Sequence, residues 1–114
     1  MLPNRVALSK KATDKLRYMK TKTGLTPNIL SRIAIMLAIK EGSDLRNAGV
    51  GDSDGQVLSR DVLFGDYAEV YDVMINQYIH DYSIEGSPQE VISALIAVGT
   101  SKLGHVKKVQ DLVF

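Results

Sequence analysis

The sequence predicts a mainly α-helical domain that assembles into an oligomer, and three observations carry that prediction. Four stretches repeat apolar residues at helical spacing, each opens on a side chain suited to capping a helix, and one is apolar on nearly every face. With 114 residues, 45% apolar and 24% charged, the chain has the size of a single domain (1–114) and the composition of a packed core.

In chain order, Arg5-Val6-Ala7-Leu8 alternates weakly and precedes a helix start, which predicts one short strand. A lone strand leaves its backbone groups unsatisfied, so it must pair with a symmetry mate or with another part of the chain. Ser9 is the N-cap of a first helix that runs to Thr23 and stops at Gly24. Ala12, Leu16 and Met19 make one apolar stripe on it. Lys11, Lys15, Lys22 and Tyr18 flank the stripe on one side, and Lys10, Arg17 and Lys20 on the other.

Thr26-Pro27 supplies an N-cap and a proline at the first helical position, opening a second helix to about Glu41 with Gly42 as its terminator. From Ile29 to Ile39 it is apolar nearly all round, which predicts a central helix buried by its own domain and by another subunit through Ile29, Ile33, Met36 and Leu37. Residues 43–60, rich in Gly, Asp and Ser, predict a loop. Asp52-Ser53-Asp54-Gly55 resembles half of a calcium loop, but the later ligands and the closing glutamate are absent, so a turn is the better reading.

Beyond it, 61–114 is expected to be a helical extension. Asp66 and Glu69 have capping-box spacing, and Tyr67, Tyr71, Met74, Ile75, Tyr78, Ile79 and Tyr82 predict an amphipathic third helix. Ser87-Pro88-Gln89-Glu90 is the strongest cap signal in the chain and opens a fourth helix toward Leu103, broken at Gly104; 105–114 is expected to form a short last helix.

The formal net charge of +1 conceals a split. Residues 1–46 carry ten basic side chains against three acidic ones, a net +7, whereas 47–100 carry one against nine, a net −8, and the tail adds +2. Such a division suits a polyanion on one face and a protein partner or sister subunit on another.

Several function classes are excluded or disfavoured. Without cysteine the chain holds no thiolate metal site, iron–sulfur cluster or persulfide. Its longest apolar run, Ile33–Ile39, is far short of the roughly 20 residues of a membrane span. The first residues lack the pattern of a secretory leader, so a cytoplasmic location without membrane association is expected. His80 and His105 have no metal-ligand or nucleophile partner at a recognisable spacing. Asp66, Glu69 and Asp72 are more simply a solvated helix face than a paired-carboxylate site, and Gly49-Val50-Gly51 lacks the third glycine of a dinucleotide loop. The expectation is a protein without catalytic residues, metal or cofactor.

Short strand, basic helix, glycine turn and capped apolar helix, over 1–42, is the element order of the ribbon-helix-helix fold, in which strands of two chains pair and enter the DNA major groove. The N-terminus of the second helix, from Thr26, offers free backbone N–H groups as a phosphate anchor beside Lys20 and Lys22.

Leu8-Ser9-Lys10-Lys11-Ala12, Leu16, Lys22-Thr23-Gly24-Leu25-Thr26-Pro27-Asn28 and Ser31-Arg32-Ile33-Ala34, with the Ser87-Pro88-Gln89-Glu90 helix start, resemble the DndE family of DNA sulfur modification proteins over essentially the whole length. That resemblance implies a small accessory subunit of the bacterial system that replaces a non-bridging phosphate oxygen of DNA by sulfur. It implies DNA as a partner, together with other modification proteins including a cysteine desulfurase complex. Val6, Ala7 and Leu8 offer base edges almost no hydrogen-bonding groups. The expectation is therefore a homo-oligomer, dimer or more readily tetramer, binding the backbone of duplex DNA, nicked duplex included, through Lys10, Lys11, Lys15, Arg17, Lys20, Lys22 and Thr26. Two alternatives stand beside it: an assembly scaffold whose acidic helices dock the catalytic proteins, and a ribbon-helix-helix transcriptional repressor.

Overall fold

A computed structural model describes residues 2–42, 45 and 52–104. The expected last helix, His105 and Gly49-Val50-Gly51 lie outside them. Strand β1 (Arg5–Ala7) leads into helices α1 (Lys10–Thr23) and α2 (Pro27–Lys40); strand β2 (Val57–Ser59), α3 (Arg60–Phe64), a 3₁₀ turn (Gly65–Tyr67), α4 (Ala68–Asp81) and α5 (Pro88–Leu103) follow.

Most of the helix starts and stops come from local chemistry. The Ser9 hydroxyl accepts from the Ala12 amide at 3.1 Å, and Gly24, at φ 77°, turns its own amide back to the Lys20 carbonyl. Thr26 holds the extended N-cap conformation of α2, but its side chain makes no capping bond. At α5 the box is complete: Ser87 Oγ accepts from the Glu90 amide at 3.2 Å, and the Glu90 carboxylate accepts from the Ser87 amide at 3.3 Å. Ser87→Ala is expected to lower the unfolding free energy by about 1 kcal/mol, read from a urea transition.

Two expectations need correction. Residues 43–60 are not all loop: Val57–Ser59 pairs antiparallel with β1, Val6 facing Leu58. Three residues with one buried side chain, Leu58, give no period that a sequence can show. Likewise Asp66 does not open the third helix with Glu69. Gly65 (φ 54°) divides that region, Asp66 lies in the 3₁₀ turn, and α4 begins at Ala68 with no side-chain cap. The chain enters α4 from a turn that is already helical, so no free amide awaits a carboxylate.

The strand thus finds its partner within the chain. Its other edge is capped at Ala7, which donates its N–H to Gln89 Oε1 and accepts from Gln89 Nε2, both at 3.0 Å. A ribbon with a symmetry mate needs that edge, so the strand-helix-helix order of 1–42 is present without an open ribbon strand.

α2 is central, as its composition predicts, but much of its cover comes from α5. Leu30, Ser31, Ala34, Ile35 and Ala38 are buried on α2, facing an α5 that buries Ile92, Leu95, Ile96 and Gly99. At Gly99 the two backbones touch: a Cβ there would lie 2.6 Å from Ala34 Cα and closer still to its carbonyl. Of the proposed subunit contacts, Ile29, Ile33 and Leu37 are already half-buried in one chain, and Met36 is 37% exposed.

Candidate nucleic-acid interface

α1 buries Ala12, Thr13, Leu16 and Met19, and that seam forces its cations outward. Lys10, Lys11, Arg17, Lys20 and Lys22 are exposed and Lys15 is half-buried. The structure separates them into the two shoulders that the helical wheel predicts.

On one shoulder, Lys15 Nζ donates to Ser101 Oγ of α5 at 2.9 Å, and Lys22 Nζ stands 5.5 Å from the centre of the exposed Tyr18 ring. Neither contact neutralises a charge. An ammonium has three donors, so Lys15 keeps two for a phosphate. The single acidic residue of α1, Asp14, lies 4.0 Å from Arg17 on the other shoulder.

There Lys10, Arg17 and Lys20 line a cleft of about 530 Å³ between α1 and the turn at 52–56, shared with Asp14, Asp54 and the start of α2 at Pro27. Sequence reasoning missed this wall. Gly55 is pressed against α1 where any Cβ would strike Thr13 Oγ1 and the Ser9 carbonyl. Its amide donates to the Leu8 carbonyl at 2.8 Å, and the Gln56 amide to Thr13 Oγ1 at 2.9 Å. Asp52 Oδ1 accepts from the Lys10 amide at 2.9 Å. The Asp54 and Lys10 amides hold its carboxyl below the usual carboxylate range. Asp52 therefore serves the start of α1 and the turn. The only sequence sign of this docking is Gly55 beside acids and serine, which also fits any turn.

Thr26 is exposed at the start of α2, two residues beyond the turn that follows Lys22. Because its hydroxyl caps nothing, it is available to a ligand along with the first amides of α2. α1 itself places no carboxylate on the shoulder bearing Lys11, Lys15 and Lys22, whereas on the cleft side two carboxylates, Asp14 and Asp54, offset the three cations. By that count the first shoulder carries the larger net positive charge.

On the far side of α2, the Tyr71 hydroxyl donates to the Arg32 carbonyl at 3.1 Å. Burial pushes this phenol up from 10.0 to about 12, the Arg32 charge opposing in part. A raised folded value means the neutral phenol is favoured by folding, so this contribution is present below pH 10 and lost as pH rises from 10 to about 12. Urea midpoints followed over that range should fall less steeply in Tyr71→Phe than in the wild type. Among the described residues, no group of three His, Cys, Asp or Glu could hold a metal ion, and no helix is long and apolar enough to cross a membrane.

Fold and surface together define a small, mainly helical domain with a two-stranded sheet, basic along one helix and acidic along another. A family model for the DNA sulphur modification protein DndE matches residues 5–109, and the chain belongs to that family. It is similar to the crystal structure of DndE from Escherichia coli B7A involved in DNA phosphorothioation modification, with 26% identity, 90% of this chain and 99% of that chain covered, and a TM-score of 0.72. A DndE mutant involved in DNA phosphorothioation, 24% identical with the same coverage and a TM-score of 0.71, shows the same fold. No curated protein sequence matches.

Proposed function

We infer that this chain is a non-catalytic DNA-binding subunit of DNA phosphorothioate modification, holding duplex DNA by its phosphates while other proteins of the system, a cysteine desulfurase complex among them, carry out the chemistry. The observation that carries this reading is the outward placement of Lys11, Lys15 and Lys22 on a shoulder free of α1's only carboxylate. Lys10, Arg17, Lys20 and Thr26 extend the basic surface toward the cleft and the start of α2. Without cysteine, the sulfur must be carried elsewhere. The setting is cytoplasmic, where such DNA lies.

Opening the backbone lowers the cost of bending DNA around a basic surface, so nicked duplex should be held in preference to intact duplex. Competition between matched oligonucleotides differing by one nick tests this. Equal affinity would reduce the reading to general phosphate binding, and no binding at low salt would overturn it. The repressor alternative is disfavoured because Gln89 occupies the β1 edge that a reading ribbon uses. Met36, with Ile29, Ile33 and Leu37 beside it, is the strip through which copies would join as a dimer or tetramer. Light scattering should give a mass at least twice the 12.5 kDa of one chain, and a monomer at micromolar concentration would remove the oligomer from the proposal.

A further inference from the structure

From Asp61 to Ser101 the chain contains no lysine or arginine, and α4 lies at the centre of that stretch. Its inner side buries Tyr71, Ile75 and Tyr78 against the core. A helix with one buried side needs only polar residues on the other. Yet Val70 and Val73 stand 62% and 71% exposed, and Tyr67, one turn earlier, is 57% exposed. Valine is a poor choice for an exposed helix position: its branched Cβ loses χ1 freedom there, and no burial offsets the loss.

Glu69 precedes Val73 by four positions on α4, which sets an acidic and an apolar group side by side, and the exposed Asp66 lies in the turn just ahead of Val70. The Arg32 guanidinium stands 5.5 Å from the Tyr67 ring centre and so orients this aromatic ring while leaving it open. The face is apolar, acidic at its margins and partly pre-organised.

Its charge decides what can cover it. A second copy presenting the same face would set one acidic helix against another, because α4 carries Glu69, Asp72 and Asp81 and no lysine or arginine, and DNA or an anionic bilayer would meet the same repulsion. The α1 surface of a second copy has the opposite sign, but its one large exposed apolar side chain is Tyr18, and an α4-to-α1 contact is head-to-tail and leaves an open chain of subunits. We propose that the outer face of α4 docks a basic amphipathic helix of a different protein, with that helix's apolar side on Tyr67, Val70 and Val73 and its lysines or arginines against Asp66 and Glu69. This contact is independent of DNA binding by α1.

The test uses the full chain and two fluorescent peptides of about 15 residues, one of lysine and leucine and one of glutamate and leucine, each amphipathic as a helix. The lysine peptide should bind and the glutamate peptide should not. Val70→Gln with Val73→Gln, and separately Asp66→Lys with Glu69→Lys, should each weaken binding at least about tenfold. None of the four side chains is buried, so circular dichroism should show the fold intact. The proposal is overturned if the lysine peptide fails to bind, if both peptides bind alike, or if the variants bind as tightly as the wild type. A fall in oligomeric mass in the valine variant would overturn it too, since a second copy would then be the occupant.

Discussion

Replacing Gly99 by valine should cost at least about 3 kcal/mol of unfolding free energy, among the largest losses open to one substitution in this chain. Even alanine should destabilise, and the sign is informative. In a helix interior glycine is about 1 kcal/mol worse than alanine, so propensity alone predicts that Gly99→Ala stabilises α5. The structure reverses that expectation, because the added Cβ falls on the backbone of Ala34, 2.6 Å from its Cα. A backbone inside a helix cannot turn aside as a side chain can. α2 and α5 would have to separate, opening the contact that buries Ala34 and Ala38 on one helix and Ile92, Leu95 and Ile96 on the other. Urea unfolding of both variants checks this, and a Gly99→Ala protein more stable than wild type would show that the helices part at little cost.

The second large effect is expected in DNA affinity. Lys15→Gln with Lys22→Gln should lower affinity about thirtyfold near 0.15 M salt, since each lost phosphate contact forgoes the release of about 0.9 counterion. The slope of log affinity against log salt should flatten by about one to two units, equally for all sequences. Lys102→Gln is a single-charge control. Lys102 is cationic and on α5, but it is paired with Glu41, so its loss should leave affinity almost unchanged. If the double variant binds as tightly as wild type, the shoulder is a solvated helix face. If the control, which removes one charge against two, falls about half as far on the logarithmic scale, the binding follows net charge and not the α1 surface.

How much of this was legible in the sequence depended on range. Ser9 and Ser87 announce their helices because a cap acts within three or four residues, and the Ala12-Leu16-Met19 stripe fixed the faces of α1 for the same reason. Membership of the DndE family was legible too, in the motifs from Leu8 to Ala34. Contacts between distant residues left no local trace. Nothing near Gly99 signals that Ala34 lies against it, nothing near Val57 signals a strand, and Gly55 reads as an ordinary turn glycine although Thr13 and Ser9 dictate it. The apolar circumference of α2 was read correctly as a sign of deep burial, but a sequence does not say which surface does the burying. Much of it is α5, which leaves Met36 and its neighbours a smaller share for any second subunit. The valines of α4 were missed for a related reason: attention to the apolar spacing of its inner side hides apolar residues on the outer one.

The Gln89 carboxamide on Ala7 links positions 82 residues apart, and this has a consequence for synthesis. Strand β1 is synthesised before its partners: β2 follows some fifty residues later and Gln89 later still. Until both arrive, β1 is a strand with two open edges, the form most prone to pair with another nascent chain. A residue of α5 thus seals a strand made some eighty residues before it, and a chain cut short before residue 89 would keep that edge of β1 open for as long as it survived.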